Sequence, residues 1–204
     1  MRGRVRTLAA LFALLGAASC VPYWSIAPKR TSVHGDLSVE PGESWARSWV
    51  TPFDGWAFWF PAPVERWTID GERLDLLTFY VGVPDGQPLI RIPDVKEKSL
   101  PPFRQSMTPP EILDLFEAAF AKAGNTAVVD GRNLRPAKFG DADGFRFEMS
   151  LTLPDDIDRE LAAAGAVRDG KLYLITFEGT RLYHYARHLP EFERIVASVR
   201  FARE

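Results

Sequence analysis

The sequence predicts an α+β domain: an antiparallel β-sheet of hairpins with amphipathic helices packed on it. Three observations point there. Asp-Gly, a strong hairpin signal between apolar runs, recurs at 54–55, 70–71, 85–86, 130–131, 143–144 and 169–170. Phe145, Phe147, Met149, Leu151 and Leu153 alternate with Arg146, Glu148, Ser150 and Thr152 at a strict period of two, the signature of a half-buried strand. Behind Thr108, a run of apolar residues at helical spacing supplies a single stripe that needs a sheet to cover it.

In chain order, residues 1–19 stand apart. Arg2, Arg4 and Arg6 precede the apolar stretch Leu8 to Leu15, and no acid occurs before Asp36. A positive end followed by an apolar segment too short to span a bilayer is the layout of a secretory signal, so residues 1–19 are read as a signal peptide outside the fold. Cys20, the single cysteine of the 204 residues, follows Gly16-Ala17-Ala18-Ser19 and has no second cysteine to pair with. Residues 21–34 carry two prolines and no periodic apolar pattern, so 20–34 reads as a tether and 35–204 as one globular domain.

Within that domain, Val64 to Ile69, Leu74 to Val83 and Pro88 to Ile92 flank the turns at 70–71 and 85–86, which predicts a meander. Thr108, Pro109 and Glu111 form a helix start with a capping box, and Met107 and Ile112 stand where a hydrophobic staple places them. Ile112, Leu115, Phe116, Ala119, Phe120 and Ala123 then share one face before Gly124 stops the helix. Asp155 to Ala164 reads as a short helix ended by Gly165. Lys171 to Phe177 reads as a strand, and a closing helix from near Pro190 carries Phe192, Ile195, Val196 and Val199.

Ala17-Ala18-Ser19-Cys20 resembles the lipobox of bacterial lipoproteins, with Ala17 where that family most often has Leu. The resemblance implies a diacylglyceryl group on the Cys20 sulfur and an added palmitate-type chain. Two buried acyl chains, at about 0.8 kcal/mol per CH2, hold a protein firmly on a membrane. The other reading is a plain secretory signal cut near Ala18, with Cys20 a free thiol. By resemblance to lipoprotein sorting, Val21 implies the periplasmic face of the outer membrane. The order of elements, with the helix after Thr108 and the ending Phe192 to Val199, resembles Mog1/PsbP-like α/β/α sandwiches. The segment Trp67 to Phe79, with Phe103 to Phe116, is similar to uncharacterised lipoproteins of proteobacteria, a resemblance that implies no particular activity.

Charge bounds the partners. The chain has 25 Lys and Arg against 27 Asp and Glu and no polybasic run, which excludes a strongly basic nucleic-acid binder. Removing residues 1–19 takes away three Arg, leaving a net charge of −5.

All six tryptophans, Trp24, Trp45, Trp49, Trp56, Trp59 and Trp67, lie between 24 and 67; they suit core packing or a stacking surface. Alternation in Trp56 to Phe60 sets Trp59 apart from Trp56, Phe58 and Phe60, which makes it a candidate binding residue. The stretch Pro93 to Pro110 is a long loop with five prolines, and Phe103 and Arg104 at its middle are further binding candidates. His184 and His188 are four apart, a ligand spacing on a helix. With no Glu after His184, with Arg187 between them, and with an extended reading open, they are taken as solvated side chains. His34 stands in the tether without an evident partner. Gly42-Glu43-Ser44-Trp45-Ala46 misses the last glycine of a nucleophile elbow. Asp141, Asp143, Asp155, Asp156 and Asp158 do not follow a calcium-loop spacing.

No catalytic residue, metal site or cofactor is therefore expected. The expectation is a membrane-anchored envelope lipoprotein with a binding or accessory role, contacting the membrane through lipid on Cys20 and an envelope protein or cell-wall partner. The alternative is an envelope hydrolase whose site is assembled from distant residues such as His184, His188 and carboxylates; an apolar-ligand carrier is a third reading.

Overall fold

The computed structural model describes residues 23–48, 64–90, 100–124, 128–152 and 157–202. Six strands come first: β1 (Tyr23–Ile26), β2 (Thr31–Val33), β3 (Leu37–Val39), β4 (Trp45–Ser48), β5 (Val64–Thr68) and β6 (Asp75–Val83). Helix α1 (Pro109–Gly124) leads into β7 (Val128–Phe139), β8 (Ala142–Thr152), β9 (Asp158–Arg168) and β10 (Lys171–Thr180). Helix α2 (His184–Ala197) and β11 (Arg200–Phe201) close the chain. One sheet runs β1-β4-β5-β6-β10-β9-β8-β7 and a small one β11-β3-β2, all pairs antiparallel.

The large sheet has a core on each face. The alternating residues Phe145, Phe147, Met149 and Leu151 of β8 meet Ile112, Leu115, Phe116 and Ala119 of α1. On the other face Trp67, Phe79, Ile175 and Phe177 meet Phe192, Ile195 and Val196 of α2, with the small sheet adding Val33, Leu37 and Val39. Each such side chain contributes about 1.5–3 kcal/mol on burial, so the two helices hold the sheet from both sides. The Glu111 arm of the capping box forms: Glu111 Oε2 accepts the Thr108 N–H and the Thr108 hydroxyl, each at 2.7 Å.

Turn chemistry explains part of the register. Asp169 (φ 51°) and Gly170 (φ 73°) make a two-residue hairpin between β9 and β10, with both central residues in the left-handed region. The β7–β8 hairpin turns at Gly140 (φ 61°), where an added Cβ would run into the Val199 carbonyl and where the Gly140 N–H donates to Val196 O at 3.0 Å. Asp130-Gly131 is not a turn. It lies inside β7, where Gly131 lets α1 approach and donates its N–H to Glu117 Oε1 at 2.7 Å.

Several sequence expectations need correction. Residues 23–26 and 31–33, read as tether, are β1 and β2; short strands burying only Ile26 and Val33 fully show no period. Pro88 to Ile90 form no strand: Leu89 and Ile90 are buried, but β6 pairs with β5 and with the distant β10. Residues 158–164, read as helical, begin β9. Alanine favours helices, but this segment lies between β8 and β10, and its Ala162, Ala164 and Ala166 face α2 while Leu161 and Ala163 face α1. A strand covered on both faces shows no polar alternation. Helix α2 starts at His184, six residues before Pro190, because Tyr185, Leu189, Phe192 and Val196 continue one stripe through the proline.

Candidate functional site

The turn between β5 and β6 is shaped by a buried carboxylate. Asp75, 1% exposed, accepts the Ile69 N–H at 2.6 Å on Oδ1 and the Asp70 N–H at 2.7 Å on Oδ2. The Thr68 hydroxyl lies 3.0 Å from Asp75 Oδ1 and accepts the Gly71 N–H at 2.8 Å. These bonds fix residues 68–71 and present the Asp70 carboxylate to the first two turns of α2.

There Asp70 meets both histidines. His188 Nε2 is 2.9 Å from Asp70 Oδ2, and His184 Nε2 is 3.8 Å from the same oxygen. His184 Nδ1 lies 2.8 Å from Thr180 Oγ1, at the end of β10. The hydrogen bond from His188 holds the Asp70 carboxyl below the usual carboxylate range. The His188 side chain is 2% exposed, that of His184 16% and that of Asp70 34%, so the cluster runs from the interior to the surface. Asp70, Asp75 and His188 each place a ligand-type atom within 4.8 Å of the others. The two histidines are thus neither extended nor solvated. They share one helix face, which the sequence spacing allowed and the misplaced helix start concealed.

No protein-family model and no curated protein matches the chain. Among solved structures, the solution structure of cyanobacterial PsbP (CyanoP) from Synechocystis sp. PCC 6803 covers 92% of this chain and 96% of its own, with TM-score 0.55 and 10% identity. The fold is PsbP-like. LpqN, involved in cell envelope biogenesis of Mycobacterium tuberculosis, matches with TM-score 0.36 and 11% identity over 92% of this chain and 88% of that one. At that score the superposition is too loose to bear on function, and the CyanoP likeness speaks for the fold alone.

On this PsbP-like frame the other candidates separate. Cys20, Trp59, Trp49 and Trp56 lie outside the described residues. Phe103 is fully buried in the α1-side core, and its backbone pairs with the 84–87 turn through Gly86 N–H to Phe103 O and Phe103 N–H to Gln87 O, both 2.8 Å. It is a core residue, which corrects its reading as a contact residue. Arg104 is exposed, 3.6 Å from Asp85. Trp45 and Trp67 are buried, with the Trp67 ring tilted against Phe79 at 4.7 Å between centroids, whereas Trp24 is 45% exposed beside Tyr23 at 50%. His34 is not alone: its Nε2 is 3.9 Å from the buried Glu65, which also accepts the Trp67 indole N–H at 2.6 Å. Ser44 is exposed and leads into strand β4, with no following helix to make a nucleophile elbow.

A cleft of about 1150 Å3 opens beside the end of α2, where Arg30, Arg168, Lys171 and Arg200 are interspersed with Asp36 and Asp169. Among the described residues no helix is long and apolar enough to cross a membrane.

Proposed function

We propose that this chain is a bacterial envelope lipoprotein, held on a membrane by lipid on Cys20, that acts by binding as an accessory component. The observation that carries the reading is how soon the fold begins. β1 starts at Tyr23, three residues beyond Cys20, and each residue step spans at most about 3.6 Å, so Tyr23 lies within about 11 Å of the cysteine. A lipid at Cys20 then holds the β1 edge of the sheet against the bilayer surface. Tyr23 and Trp24, about half exposed, sit at headgroup level, where amphipathic aromatic rings are favoured. Val21 fits the periplasmic face of the outer membrane.

The hydrolase reading finds less support in the Asp70–His cluster. A triad needs a nucleophile on one imidazole nitrogen and an orienting carboxylate on the other. His188 is buried and its Nε2 faces a carboxylate, while His184 stands 3.8 Å from Asp70, beyond hydrogen-bond distance.

The test is in-cell crosslinking and capture from the membrane fraction, comparing the full chain with Cys20→Ser. A partner captured in fixed ratio and lost with Cys20→Ser supports the reading. Equal membrane retention of both forms, or substrate turnover abolished by Asp70→Asn, overturns it.

A further inference from the structure

We propose that Asp70, Asp75 and His188, whose ligand atoms lie within 4.8 Å of one another, form a site for a divalent transition-metal ion of the zinc class, with His184 beside Asp70 as a further nitrogen donor. The two imidazoles project from α2 one turn apart, and the carboxylate reaches them from the β5–β6 turn, so the donors come from two rigidly joined elements. Ligand atoms that share a tetrahedral ion at about 2.0–2.1 Å stand about 3.3 Å apart. The two nitrogen-to-oxygen distances here, 2.9 Å for His188 and 3.8 Å for His184, straddle that value.

The surroundings prepare the donors. Thr180 Oγ1 occupies the Nδ1 side of His184 at 2.8 Å and leaves Nε2 turned toward Asp70, the arrangement in which an outer hydrogen bond fixes the tautomer of a ligating imidazole. Asp75 Oδ2 accepts the Asp70 N–H, so the same carboxylate that stands within 4.8 Å of Asp70 and His188 also positions Asp70. Arg187, the cation nearest in sequence, lies over the Tyr183 ring at 5.3 Å to its centroid and donates to the Tyr183 hydroxyl, while its charge also acts on the Asp70 carboxyl.

Donor chemistry selects the ion class. Two imidazole nitrogens with carboxylate oxygens suit zinc and its neighbours, whereas calcium and magnesium call for oxygen donors throughout. The Asp70 side chain, one-third exposed, gives the ion a path from solvent.

The experiment uses the full chain in detergent, without a histidine tag and after treatment with a chelator. Zinc affinity is read by competition with a chromophoric chelator, and Co2+ absorption reads the coordination geometry. One zinc per chain, intense tetrahedral Co2+ bands and at least a tenfold weaker affinity in both Asp70→Asn and His184→Ala are expected. His34→Ala should leave the affinity unchanged. His188→Ala removes a buried ring and can unfold the chain, so His184→Ala, at a part-exposed helical position, carries the test. No zinc bound at micromolar concentration, only weak octahedral Co2+ bands, or undiminished zinc binding in Asp70→Asn and His184→Ala overturns the proposal.

Discussion

Phe103→Ala paired with Arg104→Ala separates core from surface at two adjacent residues. Phe103 is fully buried between the 84–87 turn and α1, packed in the core with Ile112, Leu115 and Phe116. Truncating a buried Phe costs about 3–5 kcal/mol, the larger values where the surroundings cannot collapse. Here the two backbone hydrogen bonds to Gly86 and Gln87 keep the segment in place, so the upper half of that range applies. For a domain of this size, about 2–4 °C per kcal/mol translates the loss into a Tm drop of roughly 10–15 °C. Arg104→Ala removes a part-screened contact at 3.6 Å to Asp85, worth at most about 0.5 kcal/mol. Equilibrium urea unfolding followed by the fluorescence of buried Trp45 and Trp67 measures both, and an unchanged slope shows that the loss is one of stability. Phe103→Ala within about 0.5 kcal/mol of the wild type, or Arg104→Ala equally costly, refutes the reasoning.

Three further outcomes follow from the packing. Gly140→Ala places a Cβ in the left-handed region against the Val199 carbonyl and should cost about 2 kcal/mol or more, read by calorimetry as a lower Tm. Ala164→Leu overfills the face of β9 under α2 and should cost about 1–3 kcal/mol; a neutral thermal melt contradicts the close approach of that helix. The Thr108 N–H holds the exposed Glu111 carboxyl below its ordinary value. Its contribution is therefore present above the unfolded-state value of about 4.3 and fades as pH falls through the folded one, so urea midpoints of wild type and Glu111→Gln should converge below about pH 4.

What could be read in the sequence, and what could not, follows the reach of the forces involved. Helix α1 was legible because its cap, staple and stripe are all local to residues 107–124. β8 was legible because its two faces differ in polarity. β9 was not, since Ala162, Ala163 and Ala164 carry helical propensity and only the helices covering both faces make a strand of them. β1 and β2 were hidden by brevity, and Pro190 masked the upstream half of a stripe that Tyr185 and Leu189 already displayed. The site suffered most from that last error. With the helix begun at Pro190, His184 and His188 lost their common face, and nothing local links them to Asp70, 118 positions before His188. The Asp75 carboxylate that sets the Asp70 turn is equally silent, since a polar residue at a strand start reads as solvated until its burial is known.

The most direct test of the membrane-held account is mass spectrometry of the mature N-terminus, on the chain recovered from the membranes of the cells that produce it. The account predicts a chain beginning at Cys20 with acyl chains on that residue, and a Cys20→Ser form that is neither acylated nor retained on membranes. A mature chain with a free Cys20 thiol, released by cleavage near Ala18, would contradict it.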